Sequence, residues 1–234
     1  MFFNRGESKK RAFTLAEILI TLVIIGVIAA LTIPTLMGSY MHKICAAQLR
    51  KVVGEITNAA QTIIAEEKAD EENTANNVDI EEAANVQQGF YFTKAGSSTS
   101  NDNEGALYFL KNFIKNNSIT SRETLFANQY KNSTGTGIGT IPAWDSCIQT
   151  QSGAGICMQY HNATQHQRIF VDVNGSQKPN IIGVDLFVMQ ITDTGSVEDI
   201  IQANANNNCG TGNNITTATT GCLKRVIDNG WRID

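Results

Sequence analysis

The chain has 234 residues, enough for one globular domain with an appendage or for two small domains. Its formal net charge of −4 argues against a basic surface for nucleic acid. Charged residues make up 17% and aromatic residues 7% of the chain, while Asn, Thr, Gly and Ser are abundant in its C-terminal two thirds. This composition favours a β-rich, loop-rich domain over a helical bundle.

The N-terminal region combines a basic leader, residues 1–12, with a long uncharged stretch. The cations at residues 9–11 directly precede the apolar residues and are expected to stay on the cytoplasmic side of a membrane. Residues 18–41 contain no charged residue and no histidine, and as a helix they would span ~36 Å, enough to cross ~30 Å of hydrocarbon. A lone carboxylate, Glu17, stands at the start of this stretch, where burial in hydrocarbon is costly. We therefore predict a membrane-spanning helix over residues 13–41. The Glu17 carboxylate at its start is expected to need a partner inside the membrane.

The helical pattern continues beyond the uncharged stretch, now with one apolar face. Residues 42–68 are predicted to form an amphipathic helix that packs on the C-terminal domain, because their charged side chains lie mostly off this face. Pro34 lies inside the long helix and is expected to kink it or to break its hydrogen bonding locally. The apolar face consists of residues at helical spacing: Cys45, Leu49, Val52, Val53, Ile56, Ala60, Ile63 and Ile64. Cys45 is interpreted as a buried small apolar residue rather than a reactive thiol.

The rest of the chain divides into an acidic, Asn- and Ala-rich segment, residues 69–86, and a globular domain, residues 87–234. The acidic segment is predicted to be an irregular connection. Short helices are predicted over Glu104–Lys115 and from Ser121, and a last helix in GCLKRVIDNGW with Gly230 at its C-terminal cap. Apolar segments bounded by turn residues predict strands in SCIQTQSGAGICMQY, RIFVDVNGSQ and GVDLFVMQITDTG. The fold class is therefore α+β.

Four of the five cysteines lie in the polar C-terminal region, which the topology places outside the cytoplasm, where cysteine pairs form disulfides. A turn centred near Ser152 would bring Cys147 opposite Cys157, close enough for a cross-strand disulfide. Cys209 and Cys222 flank a polar, low-complexity loop, and a bridge between them would hold its shape.

Catalytic and metal sites find little support in the sequence. His161 and His166, even with Cys157, lack a second ligand pair for zinc and are interpreted as surface residues. Asp172, Asn174 and Asp185 could supply oxygens for calcium, but Gly175 comes too early for an EF-hand and an Asn-Gly turn explains Asn174 without a metal. No nucleophile-elbow, zinc-protease or phosphate-loop motif occurs. We therefore predict neither an enzyme nor a cofactor, with calcium as a minor alternative.

The basic leader, the sequence AFTLAEILITL, the uncharged stretch and its proline together resemble the N-terminal processing signal of type IV pilins and type II secretion pseudopilins. The resemblance covers about the first 55 residues and implies cleavage by a prepilin peptidase between Ala12 and Phe13, followed by methylation of the new N-terminus. Glu17 and Pro34 then stand where the family carries its glutamate and its proline. The family usually has Gly before the cleaved bond, where this chain has Ala12. The rest of the chain agrees in architecture: a long helix packed on a small antiparallel sheet, with a disulfide-closed C-terminal loop.

Cleavage would create an amine on Phe13, largely cationic at neutral pH, with which Glu17 of a neighbouring subunit could pair. Such a pair would favour docking of a new subunit and help to fix its register. The resemblance further implies other pilin-like subunits, the inner-membrane assembly platform and its ATPase as partners. It implies a single-pass protein of the cytoplasmic membrane before assembly, and a periplasmic or cell-surface filament afterwards.

Two other functions remain open from the sequence alone. One is a secreted binding protein whose conventional signal peptide ends near Ala30, since Ile18–Ala30 has the length of a signal-peptide core. Against it, Glu17 would stand at the start of that core and the uncharged stretch continues well past Ala30. The other is a membrane-anchored enzyme with a site that no motif reveals.

Overall fold

The computed structural model describes residues 13–74, 109–111, 114–119, 121–142, 147–161, 166–192, 194–200 and 208–233. The chain divides into two compact units, Met1–Met41 and His42–Asp234. The first unit contains the apolar part of a long helix, and the second contains the rest of that helix, both sheets and all the shorter helices. The predicted leader, residues 1–12, lies outside the described residues.

Helix α1 spans Leu15–Thr74 and is 60 residues long. It extends past the predicted end at residue 68, so the prediction of an irregular connection is wrong for residues 69–74. Three of its six residues, Ala69, Glu71 and Glu72, have a high helix propensity, which favours continuation of α1. Residues 75–86, the remainder of the predicted connection, lie outside the described residues.

Pro34 does not interrupt helix α1, whose helical backbone is continuous through that position. The expectation for this residue was a kink or a local break in the hydrogen bonding, and either is compatible with a helix that continues through residue 34. Proline removes one backbone donor, and the helical hydrogen bonds on both sides can carry the helix across the gap. Two residues earlier, the Thr32 hydroxyl donates to the Ile28 carbonyl at 3.0 Å.

The second half of α1 buries the apolar face that its spacing predicted. The residues with no exposed surface are Cys45, Leu49, Val52, Ile56 and Ala60, while Ile64 is half-buried. One neighbour of this half is Gly195, where an added Cβ would lie 3.0 Å from the Ile64 side chain. The described residues thus confirm an amphipathic helix packed within the globular unit.

The main sheet of the globular unit is antiparallel and has six strands in the order β1-β4-β5-β6-β7-β8. Its strands are β1 (Asn116–Ile119), β4 (Cys147–Thr150), β5 (Gly155–His161), β6 (His166–Asp172), β7 (Leu186–Ile191) and β8 (Val197–Asp199). Strands β5, β6 and β7 coincide with the predicted apolar segments, and the β4–β5 hairpin turns at residues 151–154, around Ser152 as predicted. In this hairpin Cys147 lies directly opposite Cys157.

The smaller elements surround this sheet. They are helix α2 (Arg122–Leu125), a two-stranded sheet of β2 (Tyr130–Lys131) and β3 (Gly137–Gly139), helix α3 (Ile215–Thr219) and helix α4 (Cys222–Asp228). Helix α2 begins after Ser121 and α4 ends before Gly230, as predicted. Of the helix predicted over residues 104–115, residues 109–111 are helical and Leu110 and Ile114 are buried; the predicted apolar position at residue 107 lies outside the described residues.

The polar loop between the last two cysteines is more ordered than its composition indicated. It contains helix α3, which the Asn214 side chain caps by accepting a hydrogen bond from the Thr217 amide at 2.9 Å. Ile215 and Ala218 of this helix are buried. Two apolar side chains and one side-chain cap are enough to make this Thr-rich segment helical, against its weak intrinsic preference.

Candidate functional site

The N-terminal end of helix α1 holds Thr14 and Glu17 in a reciprocal arrangement. The Thr14 amide and the Thr14 hydroxyl both donate to Glu17 Oε2, each at 2.9 Å. In return, the Glu17 amide donates to Thr14 Oγ1 at 3.2 Å. This is a capping box, in which the residue before the helix and the third helical residue satisfy each other's free backbone donors.

The capping box answers part of the question that Glu17 raises. Its carboxylate has partners within its own chain, and its position in the first turn suits the positive end of the helix dipole. Both hydrogen bonds use Oε2, and among the described residues no donor reaches Oε1. One carboxylate oxygen is therefore committed to the helix cap, while the other remains available to a further donor.

The helix that follows Glu17 presents apolar side chains on all sides. Phe13, Leu15 and Leu31 are each more than 70% exposed, and every large apolar side chain described from Leu15 to Ile33 is at least 46% exposed. This segment, Leu15–Ile33, is long and apolar enough to cross a membrane. An apolar surface that continues around the whole helix is stable only in hydrocarbon or against other apolar helices.

The remaining processing and assembly residues have a limited description. Phe13 lies just before the capping box and is 81% exposed. Ala12, on the other side of the predicted cleavage site, lies outside the described residues. Pro34 stands within α1, one residue beyond the apolar segment Leu15–Ile33. The structure thus brings Phe13, Thr14 and Glu17 together at one helix end, and Thr14 is the member that sequence reasoning missed. The spacing Thr-x-x-Glu was the signal that could have identified it.

The cysteines pair as the sequence predicted. Cys147 is bonded to Cys157 and Cys209 to Cys222, whereas Cys45 is a free, buried thiol. Burial raises the pKa of Cys45 to about 12, so this thiol is unreactive at neutral pH. Gly183 makes room for the C-terminal bridge, because a Cβ there would lie 2.5 Å from Cys209 Sγ.

Two fully buried carboxylates lie at the ends of neighbouring central strands. Asp172 ends β6, and Asp185 directly precedes β7. Asp185 accepts hydrogen bonds from the amides of Asn180 at 2.6 Å and Ile181 at 2.7 Å. Asp172 accepts one from the Tyr130 hydroxyl and one from the Asn174 amide at 3.2 Å. All four carboxylate oxygens therefore have a donor from the protein itself.

Burial dominates the electrostatics of this pair. It raises the pKa of Asp172 to about 8, to which the neighbouring charge of Asp185 contributes, and it raises the pKa of Asp185 to about 6. Burial also raises the pKa of Tyr130, which keeps its hydroxyl protonated as a donor. The sequence indicated both carboxylates as possible calcium ligands. In the structure both accept hydrogen bonds from protein donors instead.

A third buried carboxylate, Asp199 at the end of β8, caps helix α4. It accepts hydrogen bonds from the amides of Gly221 and Lys224, both at 2.8 Å. Sequence reasoning missed this cap, because Asp199 stands more than twenty residues before the helix that it caps and no local pattern connects the two.

The part of the chain that the structure describes contains no cluster of three or more His, Cys, Asp or Glu side chains that could hold a metal ion. A cleft of about 190 Å³ has no titratable side chain in its lining, which consists of Gln48, Thr124, Leu125, Gln149, Ser152, Gly153, Asn174, Gly175, Ser176 and Gln177. Cys157 is bonded in a disulfide, and the side chains of His161 and His166 lie outside the description, although their backbones pair at the ends of β5 and β6.

Comparison with protein families matches residues 8–33 to the prokaryotic N-terminal methylation motif. The match covers the end of the basic leader, the capping box and the apolar segment of α1. Neither the curated proteins nor the solved structures contain a match to the chain.

Proposed function

The N-terminal methylation motif is the hallmark of type IV pilin and pseudopilin proteins, and we propose that this chain is a structural subunit of a type IV pilus-like or pseudopilus filament. One observation carries the proposal: the motif coincides with an exposed apolar helix whose first turn holds the single carboxylate Glu17. The apolar helix anchors the precursor in the cytoplasmic membrane. In the filament, the same surface packs against the helices of other subunits.

Processing precedes assembly in this proposal. Prepilin peptidase cuts between Ala12 and Phe13, and the new N-terminus is methylated. Phe13, which is 81% exposed beside the capping box, then carries an amine in place of an amide. At neutral pH such an amine is largely cationic.

Glu17 then serves two partners. Its Oε2 stays with Thr14 in the capping box, and its Oε1 accepts a hydrogen bond from the Phe13 amine of a neighbouring subunit. In a water-poor filament core, opposite charges that meet cost far less than either charge alone. The pair therefore selects the docked position in which amine and carboxylate meet, while the apolar helices supply the contact area.

The partners follow from this route. Other pilin-like subunits contact the helix, prepilin peptidase processes it, and an inner-membrane platform with its ATPase drives assembly. After assembly the globular unit lies in the periplasm or at the cell surface. Its two disulfides suit an oxidising compartment.

The role is structural in this proposal, with no catalytic site and no resident cofactor. The cleft beside Gln48 suits this role, because its lining has no titratable group for general acid–base chemistry. The hydrogen bonds of Asp172 and Asp185 support it as well, since a calcium ion would have to displace their protein donors.

The first test is the mature N-terminus, determined by intact mass and N-terminal peptide mapping of protein from its native host. We expect a chain that begins at Phe13 and carries one added methyl group. A chain that begins near Leu31 would instead identify a conventional secreted protein and would refute the filament role, because Glu17 would be discarded with the leader. A chain that retains residues 1–12 would show that Ala12 does not support cleavage.

A further inference from the structure

The cleft of about 190 Å³ opens in the globular unit where four segments of the chain meet. These segments are helix α1 at Gln48, helix α2, the β4–β5 hairpin, and the start of the connection between β6 and β7. The hairpin and the connection approach each other through their backbones, because Gly175 has a φ of 68° and an added Cβ there would lie 3.2 Å from the Gly153 carbonyl oxygen. Backbone hydrogen bonds hold both turns, since the Gly153 amide donates to the Thr150 carbonyl at 3.0 Å and the Gly175 amide to the Asp172 carbonyl at 3.3 Å. The walls of the cleft therefore have a defined shape.

The lining of this cleft is uncharged but rich in hydrogen-bonding groups. The lining side chains without a hydrogen-bond partner among the described residues are Gln48, Gln149, Ser176 and Gln177. Two acceptors of lining residues, Gln48 Oε1 and Asn174 Oδ1, are buried without a donor, which is costly unless another molecule supplies one. Because the last torsion of an Asn or Gln side chain is soft, a small rotation turns such an oxygen toward a donor in the cleft.

The chemistry of the lining restricts the kind of ligand. An ion would lose its hydration here without meeting a counter-charge, so the ligand is neutral. The cleft is smaller than the ~300–1,000 Å³ of pockets for drug-sized ligands, so it takes one small group.

A sugar ring fits these requirements better than a peptide segment. Each carboxamide presents a donor beside an acceptor, and each sugar hydroxyl both donates and accepts, so the two groups match. Leu125 supplies an apolar wall for the C–H groups of the ring. A peptide backbone offers one donor and one acceptor per residue, and Leu125 is the one apolar side chain in the described lining that could receive its side chains.

We propose that this cleft binds one residue of a neutral saccharide through the carboxamides of Gln48, Gln149 and Gln177 and the hydroxyl of Ser176. This residue is either a free monosaccharide or the terminal unit of a longer glycan, because both present the same hydroxyl groups. All residues of the site belong to the unit His42–Asp234. The site thus adds a binding activity to the proposed filament role and does not depend on it.

The test uses the full chain in a zwitterionic detergent without a sugar headgroup, because a glycoside detergent would compete for the site. Methyl glycosides of neutral hexoses and N-acetylhexosamines are titrated, and binding is followed by saturation-transfer NMR and by calorimetry. We expect at least one of them to bind with a Kd of about 1 mM or below.

Variants of glutamine assign the binding to the cleft. Gln149→Ala removes a donor and an acceptor from the lining and should weaken binding at least about fivefold. Gln190→Ala is the matched control, because it makes the same change at another half-buried glutamine of the main sheet, outside the lining, and should leave binding unchanged. Should Gln149→Ala fail to fold, Gln177→Ala makes the comparison at an exposed position of the lining.

Four results would overturn the proposal: no binding of any neutral glycoside up to tens of millimolar, wild-type affinity in both Gln149→Ala and Gln177→Ala, an equal loss in Gln190→Ala, or a uronic or sialic acid that binds as tightly as the neutral sugars. Two further ligands identify the source and support the site in either case. A free sugar that binds more tightly than its methyl glycoside indicates a monosaccharide, whereas a longer glycan that binds at least as tightly as its terminal methyl glycoside indicates a glycan end. Because binding is measured on unassembled chains, the result is independent of the proposed filament role.

Discussion

The two halves of helix α1 have the same helical backbone, but the apolar side chains of the first half are exposed and those of the second half are buried. In the first half, Leu15–Ile33, apolar residues surround the helix and remain exposed. In the second half, a single apolar face is buried, with Leu49 and Ile56 at 0% exposure. A one-sided face finds its partner within the same chain, whereas an all-round apolar surface needs lipid or other molecules.

Carboxylates show the same contrast between the two units. Glu17 lies at the solvent-exposed end of an apolar helix and shares its hydrogen bonds with one neighbouring residue, Thr14. Asp172 and Asp185 are completely buried and receive their donors from β2 and from the connection between β6 and β7. An acid that retains an oxygen without a donor suits a contact with another molecule, while fully bonded acids stabilise the fold in which they lie.

The comparison of the two helix halves predicts its largest effect on stability. Leu49→Ala should lower the free energy of unfolding of the globular unit by ~2–5 kcal/mol, because it leaves a cavity under the buried face. Leu22→Ala makes the same change at a side chain that is 64% exposed and should alter this free energy by less than ~0.5 kcal/mol. Denaturant unfolding of both full-length variants in detergent measures the difference. Equal effects would contradict the division into a self-packed and an externally packed half.

A second experiment distinguishes the role of the Glu17 charge in assembly from the role of the Glu17 side chain in the helix cap. Glu17→Gln keeps an oxygen for the capping box but loses the charge, and we expect normal processing with filament yield reduced about tenfold or more. Thr14→Ala removes the capping hydroxyl but keeps the charge, so its yield should fall by only a few fold. Mass spectrometry of the N-terminus and electron microscopy of sheared filaments provide the two readouts. Normal filaments from Glu17→Gln would remove the proposed charge pair, and an equal loss in both variants would assign the role of Glu17 to the cap.

The smallest predicted effect concerns the polar side of the second half. The Arg50 guanidinium carbon lies 5.8 Å from the centre of the Trp231 ring, a cation–π contact with the C-terminal segment. Arg50→Ala should cost ~0.5–1 kcal/mol, visible as a small decrease in Tm. The neighbouring Lys51→Ala loses only an exposed pair with Glu55 and should cost ~0.5 kcal/mol or less. A larger loss in Lys51→Ala than in Arg50→Ala would show that the contact with Trp231 does not hold this side of the helix.

Features with a local signal could be predicted from the sequence. The buried face of α1, the β4–β5 hairpin with its disulfide, and the end of helix α4 shortly before Gly230 all follow from spacing within a few residues. The position of Glu17 in an N-terminal motif was equally local, and the family comparison covers the same residues. The Thr14 cap was also within reach but was overlooked.

Features that join distant segments could not be predicted in this way. Asp199 caps a helix that begins at Cys222, and Tyr130 donates to Asp172 across more than forty residues of chain. Helix α3 forms in a Thr-rich loop because the rest of the unit buries Ile215 and Ala218. Such partners become neighbours only after the sheet has formed.

The sequence alone determined which parts of this protein are apolar on every side, on one side or on alternate residues, because these periods are local properties of helix and strand. It thereby determined the exposed helix, the buried face of its second half and the central strands. Only the tertiary structure decided the environment of each carboxylate. The same side-chain chemistry leaves Glu17 with an oxygen to share, whereas burial by the folded globular unit raises the pKa values of Asp172 and Asp185.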